Sequence, residues 1–117
     1  MKTRNKSEIN NSLLKAKILQ PAGLVAYARD SIVSKTLIDR KSGTMTLFAF
    51  DRGQGLSEHV APYDAVVEIL DGEALITIAG RKLKAKSGGM LIMPANVPHA
   101  LKAGRKFKML LTMIRGK

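Results

Sequence analysis

The sequence predicts an all-β domain, a sandwich or barrel of short antiparallel strands preceded by a short helical segment. Two observations carry this. From residue 22 onward, short β-type runs alternate with turn signals, and no helical pattern lies between them. Helical spacing is confined to the start of the chain, where Leu13, Leu14, Ile18 and Leu19 recur with Lys15 and Lys17 between them. A chain of 117 residues is the size of one domain with one core.

Taken in order, residues 1–20 read as a tail with a short helix, and residues 21–117 as the barrel domain. Pro21 and Gly23 end the helical segment. The candidate strands are Leu24–Arg29, Ile32–Ile38, Thr44–Phe50, Ala65–Leu70, Ala74–Ile78, Lys82–Lys86, Met90–Met93 and Lys108–Ile114. Their punctuation is Lys41-Ser42-Gly43, Gly53-Gln54-Gly55, Asp71-Gly72, Ala79-Gly80, Ser87-Gly88-Gly89 and Ala103-Gly104. The link at Gly80-Arg81 is short enough for a tight hairpin between Leu75–Ile78 and Leu83–Lys86.

Composition removes several function classes. There is no cysteine, hence no disulfide framework, thiolate metal site or thiol nucleophile. No apolar run approaches the ~20 residues that span a bilayer. The start, Met1-Lys2-Thr3-Arg4-Asn5-Lys6, is basic, but no apolar stretch follows it. The expectation is a cytoplasmic protein with no membrane partner. Lys and Arg number 20 against 9 Asp and Glu, a net charge of +11. These cations are scattered along the chain, and two Tyr, three Phe and no Trp provide no stacking platform among them. The reading is therefore a solvated basic surface, with nucleic acid not expected as a partner. No phosphate-cradling glycine loop of the P-loop or dinucleotide type is present.

Two stretches carry a fixed spacing. In the first, Gly53, His59, Ala61, Ala65 and Gly72 are separated by five, one, three and six residues. In the second, Gly88, Pro94, Asn96, His99 and Ala103 are separated by five, one, two and three. This resembles the two signature motifs of the cupin family, Gly-x5-His-x-His-x3-Glu-x6-Gly and Gly-x5-Pro-x-Gly-x2-His-x3-Asn. The resemblance spans about residues 43–114 and points to a small single-domain cupin of the conserved-barrel, RmlC-like type. It implies an all-β jelly-roll β-barrel and a homodimer. In the family motif, two imidazoles and a carboxylate at i, i+2 and i+6 face the barrel interior and join a later imidazole around a divalent metal. Here His59 and His99 stand at ligand positions, while Ala61 and Ala65 donate nothing. Asn96 stands in the usual Gly place, and Asn tolerates positive φ.

Strict alternation from His59 places Ala61, Tyr63, Ala65 and Val67 inward, with Val60, Pro62, Asp64, Val66 and Glu68 outward. Apolar residues on both faces suggest an outer face covered by a second subunit. Both histidines of the chain fall on motif positions, so His59, Tyr63, Met93 and His99 are the candidate ligand pocket. Met93 is singled out among the methionines because it precedes Pro94, where the second motif begins to line the barrel.

Three functional readings follow. The leading one is a small-molecule-binding barrel with an incomplete metal site, its ligand unidentified. The second is a metal-dependent cupin enzyme of dioxygenase or isomerase type, with His59 and His99 holding Fe, Mn, Ni, Cu or Zn. The third is a regulatory protein with a basic interaction surface. No carboxylate on the inward face orients either imidazole, and no catalytic residue is assigned.

Overall fold

The computed structural model describes residues 14–115. Eight strands are present: β1 (Ile32–Arg40), β2 (Gly43–Phe50), β3 (Gly55–His59), β4 (Asp64–Ile78), β5 (Arg81–Lys86), β6 (Met90–Met93), β7 (His99–Lys102) and β8 (Phe107–Ile114). All pairings are antiparallel. Together they form the curled antiparallel sheet of a jelly-roll barrel.

The long strand β4 organises the molecule. Its first half pairs with β8 and β6, and β8 leads on to β2 and β1. Its second half pairs with β5 and β7, and β7 leads on to β3. The sequence pattern divides this strand into Ala65–Leu70 and Ala74–Ile78, with Asp71-Gly72 as a break. The structure corrects that reading. The register shifts between Ile69 and Asp71, and Gly72 takes φ +74°. The strand therefore bends from one sheet into the other without ending. Both ends of β4 consequently lie at the same end of the barrel, Ile78 opposite His99 and Asp64 bonded to the Ala95 N–H, and Gly72 lies toward the other end.

The interior follows from the alternation. Val67 and Ile69 of β4, Ile76 beyond the bend, Leu101, Phe107, Met109 and Phe50 are buried in one cluster. Phe50 and Phe107 face each other across the β2–β8 register and stack with centroids 4.5 Å apart. Such a pair adds about 0.5–1.5 kcal/mol beyond its burial.

Leu24–Arg29 forms no strand. A 3₁₀ turn at Pro21–Gly23 aims the chain across the outer face of the β1–β2–β8 sheet. There Val25, Leu24 and Tyr27 pack against Leu47, Ala49, Leu70 and Leu110. Having laid its apolar side chains on a sheet face, this segment pairs with no strand edge. It is pinned by Tyr27 Oη, which donates to Asp71 Oδ2 at 2.5 Å, and by Lys108 Nζ, which donates to the Ala22 carbonyl at 2.6 Å. Leu70 is thus covered by the chain's own segment.

The predicted N-terminal helix lies mostly outside the described residues. Of residues 14–20, Leu14 is helical, a turn and a bend follow it, and Ile18 is 96% exposed. The hairpin between β4 and β5 turns on Ala79-Gly80, with Ile78 opposite Arg81. Both turn residues have positive φ, 50° and 79°, as a type I′ turn requires. No helix among the described residues is long and apolar enough to cross a membrane.

Candidate functional site

His59 ends β3 and His99 opens β7, and the two are register partners. The 39 residues between them include β4, its hairpin with β5, and β6. Their rings meet edge to face, with centroids 4.3 Å apart and Nε2 atoms separated by 3.0 Å. His99 is 4% exposed, whereas His59 sits on the solvent side. Asn96 supports the turn that leads into His99. It adopts φ 65°, and its N–H bonds the Ala61 carbonyl at 2.8 Å.

The second nitrogen of each ring determines the chemistry. His59 Nδ1 lies 2.7 Å from the Ser57 carbonyl, and His99 Nδ1 lies 3.1 Å from the Val97 carbonyl. A carbonyl only accepts, so each Nδ1 carries the hydrogen. In the neutral rings both Nε2 atoms are then lone-pair acceptors. They point at one another, and the arrangement is satisfied by a proton or another cation between them, or by a donor that both accept from. This Nδ1–H to carbonyl contact is also the arrangement that orients metal-bound imidazoles.

The fit to a metal is partial. With metal–nitrogen bonds of about 2.0–2.1 Å, two donors at a right angle sit about 3 Å apart, which matches the His59–His99 separation. Among the described residues no further His, Asp or Glu donor joins the pair. Ala61 and Ala65 supply none, and among the described residues no three His, Asp or Glu side chains gather around a common point. In the register Ala65 lies between Met93 and Met113, so the position that carries a carboxylate in the family motif is bordered here by thioethers.

The alternation argument fails between His59 and Ala65, because the chain turns at residues 60–63 and no single strand carries both. Tyr63 therefore lies in the loop, where the Arg115 guanidinium lies 5.9 Å from its ring centroid. Val60 is 57% exposed. Met93 does face inward, but it is 3% exposed and packed in the core cluster. Asp64 uses a carboxylate oxygen to accept from the Ala95 N–H at 2.8 Å. What sequence reasoning missed is the tethering of both Nδ1 atoms. The only trace of it in the sequence is that Ser57 and Val97 each stand two residues before a histidine.

Neither a family model nor a curated protein matches this chain. Solved structures do. A conserved protein of unknown function from Streptococcus pyogenes is 38% identical, with 87% of this chain and 90% of that chain covered and a TM-score of 0.84. A cupin 2 conserved barrel domain protein from Leptotrichia buccalis is 40% identical, with 80% and 46% covered and a TM-score of 0.78, so this chain spans about half the length of that protein. A cupin superfamily protein from Desulfitobacterium hafniense is 28% identical over 87% and 94% of the two chains, with a TM-score of 0.82.

Proposed function

Starting from the fact that this chain belongs to the cupin family, we propose that it is a small-molecule-binding barrel whose ligand is held by His59 and His99. One observation carries the reading: two imidazoles, each tied at Nδ1 to a backbone carbonyl, present converging Nε2 atoms 3.0 Å apart. Such a pair recognises a group that brings a hydrogen or a positive charge, such as a hydroxyl, a protonated acid or an amine. Partly buried apolar side chains packed on the core, Ile78 and Met113 among them, offer contact for the ligand's apolar body.

The same observation favours a second reading, in which a divalent transition metal is shared by the pair. His59 Nε2 and His99 Nε2 would hold it, and it would supply Lewis acidity at its open positions. Two donors make a weaker site than the family's four.

Self-association as a homodimer belongs to the proposal. Ile38, Ile92 and Ile114 are 44%, 59% and 56% exposed and all lie on the outer face of the β1–β2–β8–β4–β6 sheet, beyond the part that Val25 and Tyr27 cover. Light scattering is expected to give a dimer, and Ile92→Glu a monomer.

The test of the site is elemental analysis after dialysis, together with thermal shifts against Fe, Mn, Ni, Cu and Zn salts and a panel of phenols and carboxylic acids. The wild type is expected to be stabilised by members of the organic panel, and the His59→Ala/His99→Ala variant by none. Equal shifts in both proteins would overturn the proposal. A near-stoichiometric metal lost in the double variant would move the assignment to the second reading.

A further inference from the structure

Charges that are scattered in the sequence are gathered by the fold around Gly72, at the end of the barrel remote from the histidines. A cleft of about 640 Å³ is lined by Arg52, Arg105, Lys106 and Asp71 around Gly72 and Gly104. A second cleft, of about 510 Å³, shares Gly72 and Arg105 with it and is lined by Lys84 and Lys86. The two make one groove around the corner where β4 bends. On β5 the alternation turns Leu83 and Ala85 toward the core, leaving Lys82, Lys84 and Lys86 on the outer face, about 6.6 Å apart at the backbone. The row of cations thus continues from the groove along the sheet.

None of these cations forms a close ion pair among the described residues, although Asp71 and Glu73 line the clefts and Asp51 lies within electrostatic reach of Lys106. Among the described residues the one ion pair is Arg29–Asp30. Three acids stand near the groove. Asp71 accepts from Tyr27 Oη, Asp51 accepts from the Asp30 N–H, and Glu73 lines the second cleft opposite Lys86. Lys106 also lies 4.7 Å from the centroid of the Tyr27 ring, which steadies its head at the groove edge.

We propose that this groove and the adjoining β5 row bind the phosphodiester backbone of duplex nucleic acid, without reading its sequence. A continuous row of evenly spaced cations complements a linear, uniformly charged polyanion better than it complements one small anion. No aromatic side chain lines either cleft, so base stacking has no platform. The groove is built of strands and loops, with no helix to enter a major groove, so contacts to phosphate are what it offers. This revises the expectation drawn from the sequence, where the same cations lie in separate stretches.

The test is fluorescence anisotropy with a fluorescein-labelled 24-base-pair duplex of arbitrary sequence, in 50 to 200 mM KCl. With five or six phosphate contacts, log K is expected to fall with log salt at a slope of about −4.5 to −5.5. Lys84→Gln/Lys86→Gln/Arg105→Gln is expected to raise Kd at least ~10-fold at 50 mM KCl and to flatten the slope by about 3. The equal-charge control Lys35→Gln/Arg40→Gln/Lys41→Gln is expected to change Kd less than ~3-fold. Arg105→Gln alone, expected to flatten the slope by about 1, serves should the triple variant misfold. Equal losses in both triple variants would overturn the proposal, leaving bulk charge alone. So would absence of binding at 50 mM KCl, or tighter binding of polyglutamate than of the duplex, which would assign the groove to an acidic protein.

Discussion

His59 and His99 are held with their Nε2 atoms 3.0 Å apart while both Nδ1 atoms are engaged by backbone carbonyls. The tautomer of each ring is therefore fixed by its neighbour two residues earlier. Nitrogen-15 NMR of the metal-free protein above pH 8 is expected to show both rings protonated at Nδ1. Addition of Zn²⁺ is expected to move the Nε2 resonances and leave the Nδ1 resonances nearly unchanged. Two Nε2-protonated rings would refute the geometry on which the proposed site rests.

Gly72 is the corner of the barrel. It adopts φ +74°, and a Cβ there would lie 2.0 Å from the Lys106 carbonyl oxygen. Gly72→Ala must displace backbone and is expected to cost more than about 2 kcal/mol in urea unfolding. Gly53 has φ +88° but open space around the position of a Cβ. Gly53→Ala is expected to cost only about 1–2 kcal/mol, the strain of the left-handed backbone alone. Equal losses at the two positions would show that the close approach at the bend contributes nothing.

The β4–β5 turn carries a residue poorly suited to it. Ala79 sits at φ 50°, the first position of the type I′ turn, where Asn is favoured. Its N–H bond to the Pro98 carbonyl, 2.9 Å, uses only backbone and survives substitution. Ala79→Asn is expected to stabilise the protein by about 0.5–1 kcal/mol, a rise of a few degrees in Tm by calorimetry. An unchanged or lowered Tm would contradict this.

Asp51 links the loop before β1 to the end of β2. Hydrogen bonds from the Asp30 N–H and then the Arg52 N–H hold its carboxyl below the ordinary carboxylate range, with Lys106 and Arg29 adding smaller contributions. Because the folded-state value is the lower one, the stabilisation is present above the unfolded value of about 3.9 and is lost as pH falls through the folded value. The wild type is expected to exceed Asp51→Asn in urea midpoint at pH 6, with the gap narrowing by pH 3. A gap independent of pH would show that the charged carboxylate is not the source.

Most strands were legible because alternation and turn residues are local signals. Ile32–Ile38, Thr44–Phe50 and Met90–Met93 needed only their own side chains to be recognised. The misreadings fall where a distant partner decides. Asp71-Gly72 carries turn residues yet bends within one strand, because β8 continues alongside it to Phe107. Leu24–Arg29 has strand composition yet lies flat on a sheet, because Leu47, Ala49 and Leu110 offer it an apolar surface.

Spacing and residue identity, written in the chain, already carry the family resemblance, the two histidine positions and the loss of two metal donors. What these features meet was set by the folded arrangement. It faced two Nε2 atoms toward each other by pairing β3 with β7, set Tyr63 in a loop and Met93 in the core, and joined Arg52, Lys84, Lys86, Arg105 and Lys106 in one groove. The physical reason is that these relations depend on strand register and on the bend at Gly72, which bring together residues tens of positions apart.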